Sequence, residues 1–145
     1  MQLNNYYSSQ QWQKIQDFAA HKPSPFLVVD LDRVEFKYQE LQQSFPMAHI
    51  FYAVKANPSC EVLLRLDQLG SYFDVASVYE LDRVIGCGIS PERISFGNTI
   101  KKAADVKYAY DQGVRLFVTD AEADLEQIAQ FAPNSRVFVR VLVES

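Results

Sequence analysis

Short apolar runs rich in β-branched and aromatic residues recur along the chain at Phe26-Asp30, His49-Val54, Tyr72-Val75, Arg93-Phe96, Leu116-Val118 and Val137-Val143. Counted from Phe26, Ile50, Phe73, Ile94, Leu116 and Val137, the steps are 24, 23, 21, 22 and 21 residues. Runs this short and apolar on both faces predict strands of a parallel sheet covered on two sides. Helical spacing fills every gap. Val34, Tyr38, Leu41 and Phe45 share one helix face, as do Val62, Leu63, Leu66 and Leu69. Leu81, Val84 and Ile85, then Ala104, Val106, Tyr108 and Ala109, then Leu125, Ile128 and Ala129 continue the series. Gly70, Gly86 with Gly88, Gly113 and Pro133 supply the stops. Asn57-Pro58 reads as an N-cap with proline at the first helical position. Ser77 with Glu80, and Thr119 with Glu122, read as capping boxes.

Five strand-then-helix units of about 22 residues describe βα repeats rather than a sandwich or a bundle. The even spacing, and the lack of a glycine-rich phosphate turn after the first run, favour a β/α barrel over a dinucleotide-binding sheet. A complete barrel needs eight strands and about 250 residues. The expected fold is therefore α/β, a partial (β/α)8 TIM-type barrel of five to six βα units over residues 26–145, which looks truncated. Residues 1–25, with Trp12, Ile15 and Phe18 on one face, predict a short amphipathic helix before the Pro23/Pro25 break.

Composition narrows the class. With 48% hydrophobic residues, the chain falls in the globular range. A net charge of -4 gives no basic surface for nucleic acid. No apolar run nears the roughly 18 residues of a membrane span, so no membrane partner is expected. The start, Met1-Gln2-Leu3-Asn4-Asn5, lacks the charged and apolar regions of a secretory leader, and a cytoplasmic location is expected. Cys60 and Cys87 have no metal-ligand spacing, and without a secretory context no disulfide is expected. His21 and His49 read as structural or surface residues. Asp120, Glu122, Asp124 and Glu126 read as a solvated face at a helix start, so no metal site is expected.

Barrel chemistry gathers at the C-terminal ends of strands, where this sequence places Lys55, Asp74, Asn98, Thr119-Asp120 and Arg140. Lys55 ends the apolar run Ile50-Phe51-Tyr52-Ala53-Val54. Partial desolvation there would lower its pKa toward a nucleophile's range, although position alone equally fits a lysine snorkelling to solvent. Asp74 can serve a site or simply cap the next helix. Glu80 already has a structural task beside Ser77. Arg140 interrupts an apolar run, which argues against an incidental surface charge.

The segment Phe51-Tyr52-Ala53-Val54-Lys55-Ala56-Asn57-Pro58 resembles the lysine motif of the pyridoxal-phosphate enzymes with an alanine-racemase-like barrel, and within them the decarboxylase branch typified by ornithine decarboxylase. Matches follow in order at Pro25-Leu31, Phe73-Asp74-Val75-Ala76-Ser77, Glu80-Leu81, Asn98 with Lys101, and Val139-Arg140-Val141. Thr99 departs from the proline that many relatives carry after the asparagine. The resemblance implies pyridoxal 5'-phosphate as cofactor, held covalently by the Lys55 amine, with Asp74, Glu80, Asn98 and Arg140 near it. It implies a small-molecule amino-acid substrate and a homodimer in the full-length parent. Racemases of the class continue the lysine motif with tyrosine-glycine-histidine, unlike Asn57-Pro58-Ser59-Cys60 here. Diaminopimelate decarboxylases carry a serine-glycine-rich turn at the level of Gly97-Asn98-Thr99-Ile100-Lys101. The implied reaction is decarboxylation of L-ornithine to putrescine in polyamine biosynthesis, with lysine, arginine and diaminopimelate as alternative substrates. A non-catalytic fragment or pseudoenzyme that binds subunits is the alternative of another class. The ring-stacking histidine, the phosphate-binding turn and the acid facing the pyridine nitrogen would lie beyond Ser145, so the isolated chain is expected to be inactive.

Overall fold

Five of the six apolar runs become strands of one all-parallel sheet in the computed structural model, which describes residues 7–143. They are β1 (Phe51–Ala53), β2 (Tyr72–Val75), β3 (Ile94–Phe96), β4 (Leu116–Thr119) and β5 (Arg136–Val139). Their spatial order is β1-β2-β3-β4-β5, the order of the chain itself. A doubly wound sheet reverses its strand order at a switch point, whereas a barrel adds each strand beside the last. The observed order is the barrel's.

Each crossover is a helix. α2 (Leu31–Ser44) precedes β1, and α3 (Cys60–Gln68), α4 (Val78–Gly86), α5 (Ala103–Asp111) and α6 (Glu122–Phe131) join successive strands. Leu63, Leu66, Leu81, Val84, Val106 and Ile128 face the sheet from these helices and bury Phe73, Val75, Ile94, Phe96 and Phe117 in a single core. Gly70, Gly88 and Gly113 close α3, α4 and α5 in the left-handed region, at φ 91°, 85° and 101°. Gly113 carries a second constraint, since a methyl group there would stand 2.9 Å from the Pro91 ring.

Phe26–Asp30 is not a strand. Apolar composition makes a segment fit for a sheet, but only ladder hydrogen bonds make it a strand. The chain divides into two compact units after Asp30, so this segment falls in the first. That unit contains α1 (Ser9–Ala19), the expected N-terminal helix, entered through a capping box in which Ser8 and Gln11 exchange hydrogen bonds. The last run is also shorter than expected, because pairing with β4 reaches only Val139, plus one bond from the Arg140 amide to the Thr119 carbonyl.

Local corrections concern helix starts. α3 begins at Cys60 with Ser59 as its cap, and Asn57 Oδ1 instead accepts from the Ser59 amide in a tight turn. α6 begins after Ala121, and the Thr119 hydroxyl is engaged with both Ala121 backbone groups rather than in a capping box. At α4 the Ser77 hydroxyl does accept from the Glu80 amide, yet the Glu80 carboxylate reaches back to the amide of Ala76 instead of Ser77. Cys60 and Cys87 form a disulfide, with Cα atoms 5.8 Å apart, where two separate thiols were expected. Their separation of 27 residues gives no sign of the proximity, which follows from α3 packing against α4. Among the described residues no helix is long and apolar enough to cross a membrane.

Candidate active site

Parallel register sets the floor of the site. Ala53 pairs with Asp74, and Asp74 with Ser95, so these three side chains form a row on one face of the sheet. Phe73 and Val75 point the other way, into the helix-covered core. A run expected to be apolar on both faces thus alternates in β2, and Asp74 is its one polar residue on the inner side. Ser95, 4% exposed, donates from Oγ to Asp74 Oδ1 at 2.6 Å. Gly97 makes room for the carboxylate: a methyl group at this position would stand 2.1 Å from Asp74 Oδ1.

Around this floor, Lys55, Asp74, Glu80, Asn98 and Arg140 line a single cavity of about 170 Å³ at the C-terminal ends of the strands. Lys55 sits in the 3-10 turn Val54–Ala56 that follows β1. Its side chain is exposed, in line with a lysine snorkelling to solvent rather than with partial desolvation. Its ammonium group makes no hydrogen bond or ion pair among the described residues. The same holds for the Arg140 guanidinium, so no neighbouring acid occupies it. Glu80 and Asn98 both work on Ala76: the carboxylate accepts from its amide at 2.8 Å, and the Asn98 amide group donates to its carbonyl at 3.2 Å. Glu80 is therefore half committed to the backbone.

Tyr52 stands beside Lys55 in sequence and donates from its hydroxyl to the Asn57 carbonyl. Burial raises its pKa above the ordinary 10.0, with a smaller opposing effect of that hydrogen bond. Thr119 and Asp120 do not join the cavity: Thr119 is buried on its own turn and Asp120 is exposed.

The acidic run at the start of α6 is not wholly solvated. Asp124 turns inward and is 6% exposed, where its Oδ2 meets Lys101 Nζ at 2.7 Å. Helical spacing placed it on the polar face, and only the arrival of Lys101 from another unit brings it inside. Lys101, Asp124, Ser95 and Gly97 were all missing from the expected site. Ser95 could have been found as the polar residue within Ile94-Ser95-Phe96. His21 Nδ1 lies 3.0 Å from its own helix carbonyl at Asp17, and His49 packs edge-on against Tyr72. Among the described residues no group of three or more potential ligands is arranged for a metal ion.

A lysine, two carboxylates and an arginine thus share one cavity at the C-terminal end of a parallel β/α barrel segment, where barrel enzymes carry their chemistry. Residues 31–145 match the family model for the pyridoxal-binding domain of the pyridoxal-dependent decarboxylases, and the chain belongs to that family. It is 38% identical over 132 residues to a lysine/ornithine decarboxylase of Selenomonas ruminantium, covering 91% of this chain and 34% of that protein. It is also 36% identical over 119 residues to antizyme inhibitor 2 of Xenopus laevis, covering 82% of this chain and 26% of that one. Among solved structures, the lysine/ornithine decarboxylase of Vibrio vulnificus complexed with putrescine superposes with a TM-score of 0.85 at 26% identity, covering 92% of this chain and 37% of that chain. The chain thus spans about a third of the length of the decarboxylases it matches. The residues present fit a pyridoxal group: an uncommitted primary amine faces a polar cavity whose floor holds a fixed carboxylate.

Proposed function

We propose that this chain forms the cofactor-holding part of an enzyme that decarboxylates a basic amino acid, L-ornithine to putrescine, with pyridoxal 5'-phosphate attached through Lys55. The observation that carries the reading is the Lys55 amine, free of partners at a strand end, sharing one cavity with Asp74, Glu80 and Arg140. When bound, the cofactor supplies an electron sink for the pair released as the carboxylate leaves. The chain's own residues do the rest. Lys55 would hold the cofactor through its amine. Asp74, held by Ser95 and seated against Gly97, presents a carboxylate of fixed direction to the cavity. Arg140 brings positive charge to the cofactor ring. Glu80 and Asn98 keep the loop after β2 at the height of the site through Ala76. The protein is proposed to act in the cytoplasm as a homodimer.

Borohydride reduction of the cofactor-loaded protein followed by peptide mapping tests the attachment. The label is expected on Lys55, and labelling of Lys101 or Lys102 overturns the assignment. Release of carbon dioxide from carboxyl-labelled ornithine, lysine, arginine and diaminopimelate ranks the substrates. With the 145-residue chain alone, release is expected to match the free-cofactor control. A non-catalytic, subunit-binding role is the second reading, favoured by the similarity to a relative named as an inhibitor. Retention of Lys55 weighs against it.

A further inference from the structure

Lys101 is fully buried at its side chain, and every proton of its ammonium group has an acceptor. It donates to the Asn98 carbonyl at 2.8 Å, the Val118 carbonyl at 2.7 Å and Asp124 Oδ2 at 2.7 Å. These acceptors belong to two βα units: Asn98 follows β3, while Val118 in β4 and Asp124 in α6 belong to the next. Asn98 extends the chain of bonds in the other direction. Its side chain donates to Ala76 after β2 and accepts from the Ile100 amide at 3.2 Å. Three consecutive strand ends are thereby tied through one ammonium group and one amide.

We propose that Lys101 is a positioning residue for the cofactor cavity, with Asp124 as its counter-ion. The inference rests on the cofactor reading above. Asn98 and Thr99 line the cavity opposite Lys55 in the chain, but Asn98 is exposed and its loop has no apolar anchor except through its neighbours. A loop of this kind takes its position from hydrogen bonds. A carbonyl held by a buried, charge-assisted donor is fixed more firmly than one held by water or by a neutral group. The geometry also removes Lys101 from the pool of reactive amines, since attachment of a cofactor would break three bonds and leave Asp124 without a partner. Asp124 Oδ1 already makes no hydrogen bond among the described residues, which leaves the carboxylate dependent on Lys101.

A role in positioning differs from a role in stability, and two variants of the holoprotein separate them. Lys101→Met with Asp124→Leu removes both buried charges together and leaves neither unpaired, so the melting temperature is expected to fall less than in Asp124→Asn. The tie to Asn98 is nonetheless lost. Amide exchange at Thr99 and Ile100 is expected to accelerate about tenfold, and cofactor affinity to fall by about the same factor. Asp124→Asn gives the converse: the melting temperature falls, while Lys101 keeps its two carbonyl acceptors and loop exchange stays at the wild-type rate. Loop exchange that follows melting temperature across the two variants, rather than the presence of Lys101, overturns the proposal. So does wild-type exchange in the double variant. If the wild-type protein takes no cofactor on Lys55, the proposed function fails, and the amide exchange still decides the role of Lys101.

Discussion

Two lysines stand after alternate strands of this sheet, β1 and β3, and they have little else in common. Lys55 follows β1 on an exposed turn with its ammonium group uncommitted, beside an acid whose place is set by other residues. Lys101 follows β3 with no side-chain exposure and three acceptors around it. A residue available for covalent chemistry must have an amine that can be withdrawn from its partners without cost. A residue that holds a loop must have one that cannot. Both follow strand ends, Lys55 in the turn directly after β1 and Lys101 further along the loop after β3, and the difference comes from what the next βα unit offers. After β3 that unit brings Asp124 and the Val118 carbonyl, whereas among the described residues the β2 unit brings no acceptor to Lys55.

Exchanging the demands on the two lysines gives the largest expected effects. Lys55→Ala should abolish reductive labelling by the cofactor and all turnover while leaving the thermal melt unchanged. A residual label on another lysine would break the contrast. Lys101→Met should act first on the fold, destabilising it by about 3–5 kcal/mol because it leaves the Asp124 carboxylate buried and unpaired. Urea unfolding measures this, and a loss below about 1 kcal/mol would place Lys101 with weak surface pairs. Gly97→Ala lies between the extremes. The added methyl must displace the Asp74 carboxylate, at about 1–3 kcal/mol for an overpacked site, and should weaken cofactor binding along with stability.

The smallest effect concerns pH on the Lys55 side. The Tyr52 pKa is raised in the folded protein by burial, so the neutral phenol is favoured there relative to the unfolded chain. Its contribution is complete below the ordinary value of 10.0 and is lost as pH rises from there through the folded value. Stability between pH 9 and 11 should therefore decline less steeply in Tyr52→Phe than in the wild type. Parallel slopes would remove Tyr52 from the account.

Much of the architecture was legible because it is local. The recurring apolar runs and the glycine stops each report a property of a few adjacent residues, and five strands and the helices between them follow. Lys55, Asp74, Asn98 and Arg140 could be gathered because barrel strand ends converge, whereas Glu80, on α4, came from the resemblance, and Thr119-Asp120, placed by the same strand-end rule, stay out of the cavity. What escaped depends on partners distant in sequence. Phe26–Asp30 has the composition of a strand without the ladder. Asp124 is polar on a polar helix face until Lys101 reaches it. Cys60 and Cys87 are separated by a whole βα unit, and Ser95 matters only because register sets it against Asp74. The boundary of α3 failed for a smaller reason, since the Asn57 side chain caps its own turn instead of the helix.

The row Ala53, Asp74 and Ser95 bears on how the chain finds its fold as well as on what the fold holds. Side chains alternate along a strand, so a slip of β2 by one residue would turn Phe73 and Val75 toward the cavity and drive Asp74 into the layer occupied by Leu81 and Val84. A carboxylate stranded among aliphatic side chains is a heavy penalty for misalignment. Strands three or four residues long offer few ladder bonds with which to tell one alignment from the next. The same acid that lines the cavity thus acts as a proofreading mark during folding, rejecting the misregistered sheet before any ligand is met.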